Sequence, residues 1–282
     1  MMETPRKPSL VVFTGAGISA ESGLATFRDA NGLWNSHRPE ELASIQAWRR
    51  DPALVLEFYN QRWKQLQTVK PNSAHYAIAE LEQAYDVTVI TQNVDDLHER
   101  AGSTKIVHLH GELMKVCEQH DKGATYPYAN PLKVEDLGPT GRQLRPFIVW
   151  FGEDVPLIPV AQEIVSKADV FIVVGTSLNV YPAASLVDDA RRASPKFLVN
   201  KEHSLGTLGL DRSVFEDWTV LIGPATVGMS EVKHSLLTKR GKSDLPDRTR
   251  AAQDILQYMQ DRTLSLPVSD AELKGWIEKG RD

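Results

Sequence analysis

Leu10-Val-Val-Phe13 is an apolar run that reads as a buried strand, and Gly15-Ala-Gly17-Ile-Ser-Ala20 follows it at once. That order fits a glycine fingerprint. Glycines let the backbone turn tightly and approach a pyrophosphate where the next helix begins. The same residues also suit a tight strand-to-helix turn with no ligand. A plain dinucleotide fold would place an acidic ribose ligand at a second strand end roughly 20 residues further on. Here Phe27-Arg28-Asp29 leads instead into a polar, aromatic-containing segment. The spacing therefore predicts an insertion after the first helix, with the ribose held by other groups.

Beyond the insertion, strands and helices alternate. Asp51-Pro52 reads as an N-cap followed by proline at the first helical position. Leu54, Val55, Phe58, Tyr59, Arg62 and Trp63 then fall at helical spacing, with Tyr59 and Arg62 on one face. A second helix starts at Pro71-Asn72-Ser73, with Ala74, Ile78 and Leu81 on its stripe. Val87–Thr91 is a strand that ends in Gln92-Asn93-Val94-Asp95. Ile106–Gly111 is read as a short strand that puts His108 and His110 on one face. Glu112 to Val149 breaks the apolar rhythm and reads as a loop-dominated insertion. Phe147–Glu153 returns to strand, and Ala168–Ser177 is the most apolar strand, ending in Gly175-Thr176-Ser177. Pro182–Arg192 is read as helix, Lys196–Asn200 and Asp217–Gly223 as strands, and Val227–Leu237 as a final core helix. This order predicts an α/β fold, an open and mainly parallel sheet covered on both faces. In such sheets, polar residues just past the strand ends lie where ligands bind.

Composition excludes several classes. A formal charge of -5 argues against a nucleic-acid partner, which calls for a basic excess. The one cysteine, Cys117, allows no intrachain disulfide, and the N-terminal Met1–Pro8 carries no apolar signal region. The expectation is a cytoplasmic protein with no membrane segment.

Together these motifs resemble the sirtuins, the family of NAD-dependent protein-lysine deacylases. The residues that carry the resemblance are Gly15-Ala-Gly-Ile-Ser19 with Phe27-Arg28, Thr91-Gln-Asn-Val-Asp95, His110-Gly111, Val149-Trp-Phe-Gly-Glu153, Gly175-Thr-Ser177 and Asn200. The likeness runs from about Leu10 to about Leu237, and the motifs occur in the family's order. It implies a Rossmann-like NAD-binding domain over residues 1–30, 71–111 and 147–237. A smaller domain would comprise the two insertions, 31–70 and 112–146, with a helical tail over 238–282.

The resemblance also implies roles. Ala16, Gly17 and Ser19 would hold the pyrophosphate, and Phe27 and Arg28 would cover the nicotinamide ribose. Asn93 and Asp95 would bind the nicotinamide amide, and Gln92 the ribose. Thr176, Ser177 and Asn200 would take the adenosine end, and Gly15, Gly175 and Ala225 complete the cofactor-binding set. Val149, Trp150, Phe151 and Gly152 would pair with the peptide of an acyl-lysine protein substrate as an added strand. Nicotinamide would leave as the acyl oxygen attacks the ribose carbon, with His110 the general base on a ribose hydroxyl. The products would be free lysine, nicotinamide and O-acyl-ADP-ribose. Catalysis would rest on His110, Asn93 and Asp95.

Tyr59 and Arg62 match a Tyr-x-x-Arg pair found in members that remove acidic acyl groups. A guanidinium binds a carboxylate through two hydrogen bonds and a phenol adds a third. Succinyl, malonyl or glutaryl lysine is thus expected, with acetyl also accepted. Two alternatives are an NAD hydrolase without an acyl-lysine substrate and a non-catalytic NAD or ADP-ribose sensor. The Val149–Glu153 strand and the Tyr59/Arg62 pair argue against the hydrolase, and His110, Asn93 and Asp95 against the sensor.

The sequence departs from the family in its second insertion. Sirtuins carry two Cys-x-x-Cys zinc pairs there, whereas this chain has only Cys117-Glu-Gln-His120. Asp121, Glu135 and Asp136 read as a charged loop, so no zinc is expected and packing of Tyr126, Pro127, Tyr128 and Leu132 must hold the segment. In the tail, Ala252, Ile255, Leu256 and Met259 form one apolar stripe, and Leu273, Trp276 and Ile277 share a face. This reads as a helical hairpin docking on the core.

Overall fold

The computed structural model describes residues 6–24, 39–201 and 215–238. Phe27, Arg28 and the expected tail hairpin lie outside the described residues. The chain begins with β1 (Ser9–Thr14) and the short α1 (Gly17–Ala20). Then come α2 (Pro39–Leu42), α3 (Ile45–Arg50), α4 (Pro52–Thr68) and α5 (Ser73–Leu81). β2 (Asp86–Thr91), α6 (Leu97–Ala101) and β3 (Ile106–His108) follow. Next are β4 (Gly111–Glu118), β5 (Asp121–Pro127) and β6 (Leu144–Ile148). α7 (Ile158–Ser166), β7 (Val170–Val174), a 3-10 turn (Ala183–Ser185) and α8 (Leu186–Asp189) lead to β8 (Lys196–Asn200). The last described elements are β9 (Trp218–Ile222) and α9 (Ala225–Thr238).

Six strands form one parallel sheet in the order β3-β2-β1-β7-β8-β9. Its central strands are apolar at almost every position because helices cover both faces. Leu10, Val12, Val87, Val89, Ile172 and Val199 point to one side, against Ile78 and Leu81 of α5 and Met229 and Val232 of α9. Val11, Phe13, Ile90, Phe171 and Val173 point to the other, against Ala161 and Val165 of α7 and Leu186 of α8. From β1 the chain builds outward to β2 and β3, then returns to the far side for β7, β8 and β9. The strand order therefore reverses between β1 and β7, where a crevice opens beyond the carboxyl ends.

A third core lies outside the sheet. Leu42, Trp48, Val55, Phe58 and Tyr59 from the first insertion pack with Leu113, Val116, Tyr128, Leu132, Ile148 and Trp150. Asp51 caps α4 by accepting from the Leu54 amide at 3.0 Å, a contact worth about 1 kcal/mol.

Four readings of the sequence change. The Glu112–Val149 stretch is not loop-dominated but holds a three-stranded antiparallel sheet in the order β5-β4-β6. The strands escape a period-two reading because β5 is mostly exposed and the register shifts at Glu112/Val116 and Cys117/Glu118. The strand expected over Phe147–Glu153 instead ends at Ile148, since Glu153 folds back onto the Trp150 amide at 2.8 Å. The strand expected to reach Gly111 ends at His108, and β4 begins a new sheet at Gly111, whose φ is +85°. The Pro182–Arg192 helix is broken into a 3-10 turn and α8, which stops at Asp189.

Candidate active site

The glycine turn sits at the reversal point. After β1, the Gly15 amide donates to the Val174 carbonyl at 3.1 Å, and the Gly17 amide donates to the Gly175 carbonyl at 2.7 Å. The two backbones touch here: a Cβ on Gly17 would lie 2.8 Å from Gly175 Cα, and one on Gly175 would lie 2.3 Å from the Ile18 amide nitrogen. Gly175 also has a φ of +67°, which L side chains rarely adopt. Only glycines let the two strand-end backbones pack this closely where the strand order reverses.

Around this turn, residues far apart in sequence converge. Ser19 donates to Asp95 Oδ2 at 3.0 Å and accepts from Asn93 Nδ2 at 3.2 Å. Asp95 Oδ1 takes the Leu97 amide at 3.2 Å. Burial pushes the Asp95 carboxyl up, and its bonds to Leu97 and Ser19 hold against that push. The Asn93 amide is fixed by Thr91 Oγ1 at 3.0 Å. Gln92 Nε2 donates to Thr176 Oγ1 at 2.8 Å, and Asn200 Nδ2 donates to the Thr176 carbonyl. Ser177 follows on the same loop, and Ala225 opens α9 beyond β9, where the next amide, of Thr226, reaches Glu21 Oε2 at 3.0 Å. The structure therefore brings Gly15, Ala16, Gly17, Ser19, Gln92, Asn93, Asp95, Gly175, Thr176, Ser177, Asn200 and Ala225 to one end of the sheet.

His110 stands in the crossover between β3 and β4. Its Nδ1 lies 3.0 Å from the Gln92 carbonyl, which can only accept, so Nδ1 carries the proton. In the neutral ring, Nε2 is then the lone-pair atom. Burial lowers the His110 pKa below its ordinary value, partly offset by the Gln92 carbonyl. The ring is therefore held neutral, as a proton acceptor requires. His108 differs: Nδ1 meets the Asn93 carbonyl at 3.1 Å and Nε2 meets Glu99 at 2.7 Å, so both nitrogens donate and the ring is charged. Burial opposes that charge, but Glu99 outweighs it and the pKa is raised.

Tyr59 and Arg62 lie one turn apart on α4, as the spacing predicts. Tyr59 is fully inside the third core, and burial pushes its hydroxyl up to about 12 against the pull of Arg62. The Arg62 guanidinium is likewise lowered by burial, while Tyr59 and Asp95 favour its charge.

The Val149–Gly152 segment lies between the two insertions' strands and helices. The Val149 amide donates to the His110 carbonyl at 2.9 Å, and the Phe151 amide donates to the Ala43 carbonyl at 2.9 Å. With the Trp150 amide bonded to Glu153, these three amides are engaged within the chain. Trp150 also turns inward: it is buried, and its Nε1–H donates to the Tyr59 hydroxyl at 3.0 Å. No sequence signal joins these two residues, nor Arg145 to Glu153.

Cys117 is buried in β4, opposite Thr125 on one side and Arg145 on the other. Among the described residues, no cluster of three potential metal ligands includes this thiol, whereas a structural zinc site wants four. Among the described residues, Glu99, His108 and Glu112 lie close enough to share an ion, but Lys115 already pairs with Glu112 at 2.8 Å. Several side-chain anchors hold the insertion. Arg145 makes two bonds to Glu153 at 2.8 and 3.1 Å, and Lys122 reaches the same carboxylate at 2.8 Å. On α4, Asn60 accepts from the Leu132 amide and donates to its carbonyl, both at 2.8 Å, and Tyr128 donates to the same Asn60. Tyr128 and Leu132 are buried as expected, whereas Tyr126 is half-buried and Pro127 exposed, and Trp63 stacks on Tyr128 at 5.4 Å.

A reversed-order parallel sheet, a glycine turn at the reversal and a buried histidine beside an Asn/Asp pair define the site of a family, and the model of the Sir2 family matches residues 15–182. The chain belongs to that family. An NAD-dependent protein deacylase of Bacteroides thetaiotaomicron is 50% identical over 241 residues, covering 81% of this chain and 98% of the relative. Among solved structures, a Sir2 homologue in complex with ADP-ribose superposes with a TM-score of 0.73 at 39% identity, covering 84% of this chain and 96% of that one. A Sir2 homologue in complex with NAD gives a TM-score of 0.72 at 39% identity, covering 82% and 90%. Among the described residues, no helix is long and apolar enough to cross a membrane.

Proposed function

We propose that this NAD-dependent sirtuin deacylase prefers lysines carrying acidic acyl groups, succinyl, malonyl or glutaryl, over acetyl-lysine. The observation that carries the reading is the Tyr59/Arg62 pair. Both groups can donate, Tyr59 is buried and Arg62 half-buried on the same helix, and Tyr59 and Asp95 favour the guanidinium charge. A guanidinium in such surroundings gains most from a carboxylate that can take two of its N–H groups. An acetyl group leaves it without that partner, which is the source of the discrimination.

The remaining roles follow from the site. NAD supplies the ribose carbon that accepts the acyl oxygen. Ser19 and Asp95 orient the Asn93 amide toward the nicotinamide pocket, and the glycine cradle admits the pyrophosphate. Gln92 and Thr176 hold sugar hydroxyls, with Ser177, Asn200 and Ala225 at the adenosine end. His110 takes the hydroxyl proton at Nε2 while the Gln92 carbonyl keeps Nδ1 protonated. Acyl-lysine proteins are the substrates in this reading, and the cytoplasm its compartment.

The test is a mass-spectrometric assay of one peptide with NAD, in acetyl-, succinyl- and malonyl-lysine forms, with a no-peptide control. The acidic forms turn over faster, and Arg62→Met lowers succinyl turnover far more than acetyl turnover. An equal loss on both would sink the preference. Nicotinamide release without peptide would favour an NAD hydrolase.

A further inference from the structure

Trp150 meets Tyr59 through a bond that does more than fill the core. Its ring is clamped, with the Arg145 guanidinium 3.4 Å above the ring centroid and Trp48 packed at 5.3 Å. Arg145 is itself fixed by Glu153 and by the Ile148 carbonyl at 2.7 Å. The indole N–H therefore has a defined direction, and it points at the Tyr59 oxygen 3.0 Å away.

An indole N–H only donates, so the phenol oxygen must accept. A phenolic O–H prefers the ring plane, where it has two orientations. With Trp150 donating from one side, the hydroxyl proton is left to the other. Burial keeps that hydroxyl protonated, with its pKa pushed up to about 12. Arg62, three positions on, is a donor only.

We propose that Trp150 is a positioning residue for acyl specificity: its indole N–H turns the Tyr59 hydroxyl into a committed donor, aimed with Arg62 at the carboxylate of an acidic acyl group. This rests on the acidic-acyl reading above. A neutral acetyl group has no oxygen that would reach past the amide to use the oriented proton. Without the indole N–H, the phenol can flip and its donor is shared between two orientations.

The test is the ratio of kcat/KM for succinyl-peptide to that for acetyl-peptide. Trp150→Phe keeps a ring under Arg145 and removes the donor. The ratio falls by about fivefold, the size of one neutral hydrogen bond, and the loss appears in KM for the succinyl-peptide. Tyr59→Phe lowers the ratio too, and adding Trp150→Phe to it lowers the ratio no further. If Trp150→Phe fails to fold, the Trp150 indole is replaced site-specifically by its benzothiophene isostere, with the same expectation. An unchanged ratio, or two losses that multiply, would overturn the inference. If the ratio survives Trp150→Phe but collapses in Arg62→Met, only the positioning role falls. A wild-type enzyme with no acidic preference overturns both readings.

Discussion

The Ser19 hydroxyl donates to Asp95 across 3.0 Å, joining the first glycine turn to a strand end 76 positions later. Ser19 also accepts from Asn93, so one hydroxyl orders both polar groups at this strand end. The relationship explains why a small, buried serine follows the glycines.

Ser19→Ala removes the donor to a buried carboxylate and the acceptor for Asn93 together. A hydrogen bond to a charged group is worth about 2 kcal/mol, or roughly 30-fold in rate constant. We expect a loss of that size in kcat/KM for NAD, measured as peptide-dependent nicotinamide release. A loss below about threefold would mean that Asn93 and Asp95 are ordered without Ser19.

In the proposed reaction, His110 is the base that sets the acid limb of the pH profile. The base form is the active one, so activity is lost as pH falls through the His110 pKa. Burial lowers that pKa below the ordinary 6.5, which keeps the ring neutral further into acid. The acid limb of kcat/KM is expected below pH 6.5, with a plateau above it. His110→Gln removes turnover across the range. An acid limb centred above the ordinary histidine value would show a charged ring instead.

Glu153 ties the second insertion to the Val149–Gly152 segment. Burial would raise its carboxyl, but the bonds and charge of Arg145, with Lys122 and the Trp150 amide, outweigh it and hold the pKa at about 2. The unfolded value is near 4.5, so the folded pKa is depressed. Its contribution is complete above about pH 4.5 and is lost as pH falls toward about 2. Glu153→Gln leaves Arg145 uncompensated and costs roughly 3 kcal/mol at neutral pH. Urea titrations of both proteins should show that gap closing as pH drops through the window. A gap that stays constant would mean that the carboxylate charge is not what stabilises the segment.

The sheet was legible because its signals are local. Leu10–Phe13, Val87–Thr91, Val170–Val174 and Lys196–Asn200 are short apolar runs, each ending in polar or glycine residues. β4, β5 and β6 were not legible, since β5 is solvated and two register shifts break the alternation. Their order is set by cross-strand pairing and by the Asn60 and Glu153 anchors, none of which leaves a periodic trace.

By itself the sequence determined the alternating strand and helix order, the glycine turn, the placing of Tyr59 and Arg62 on one helical face and the polar residues at each strand end. These depend on neighbours within about four positions, where backbone geometry dictates which side chains share a face. Tertiary structure decided which strand ends meet, and so which polar residues form one site. It also decided that Trp150 is turned inward to bond Tyr59, 91 positions away. Such pairings depend on strand order and on the clamping of the indole by Arg145 and Trp48. They arise only when separate cores close on one another.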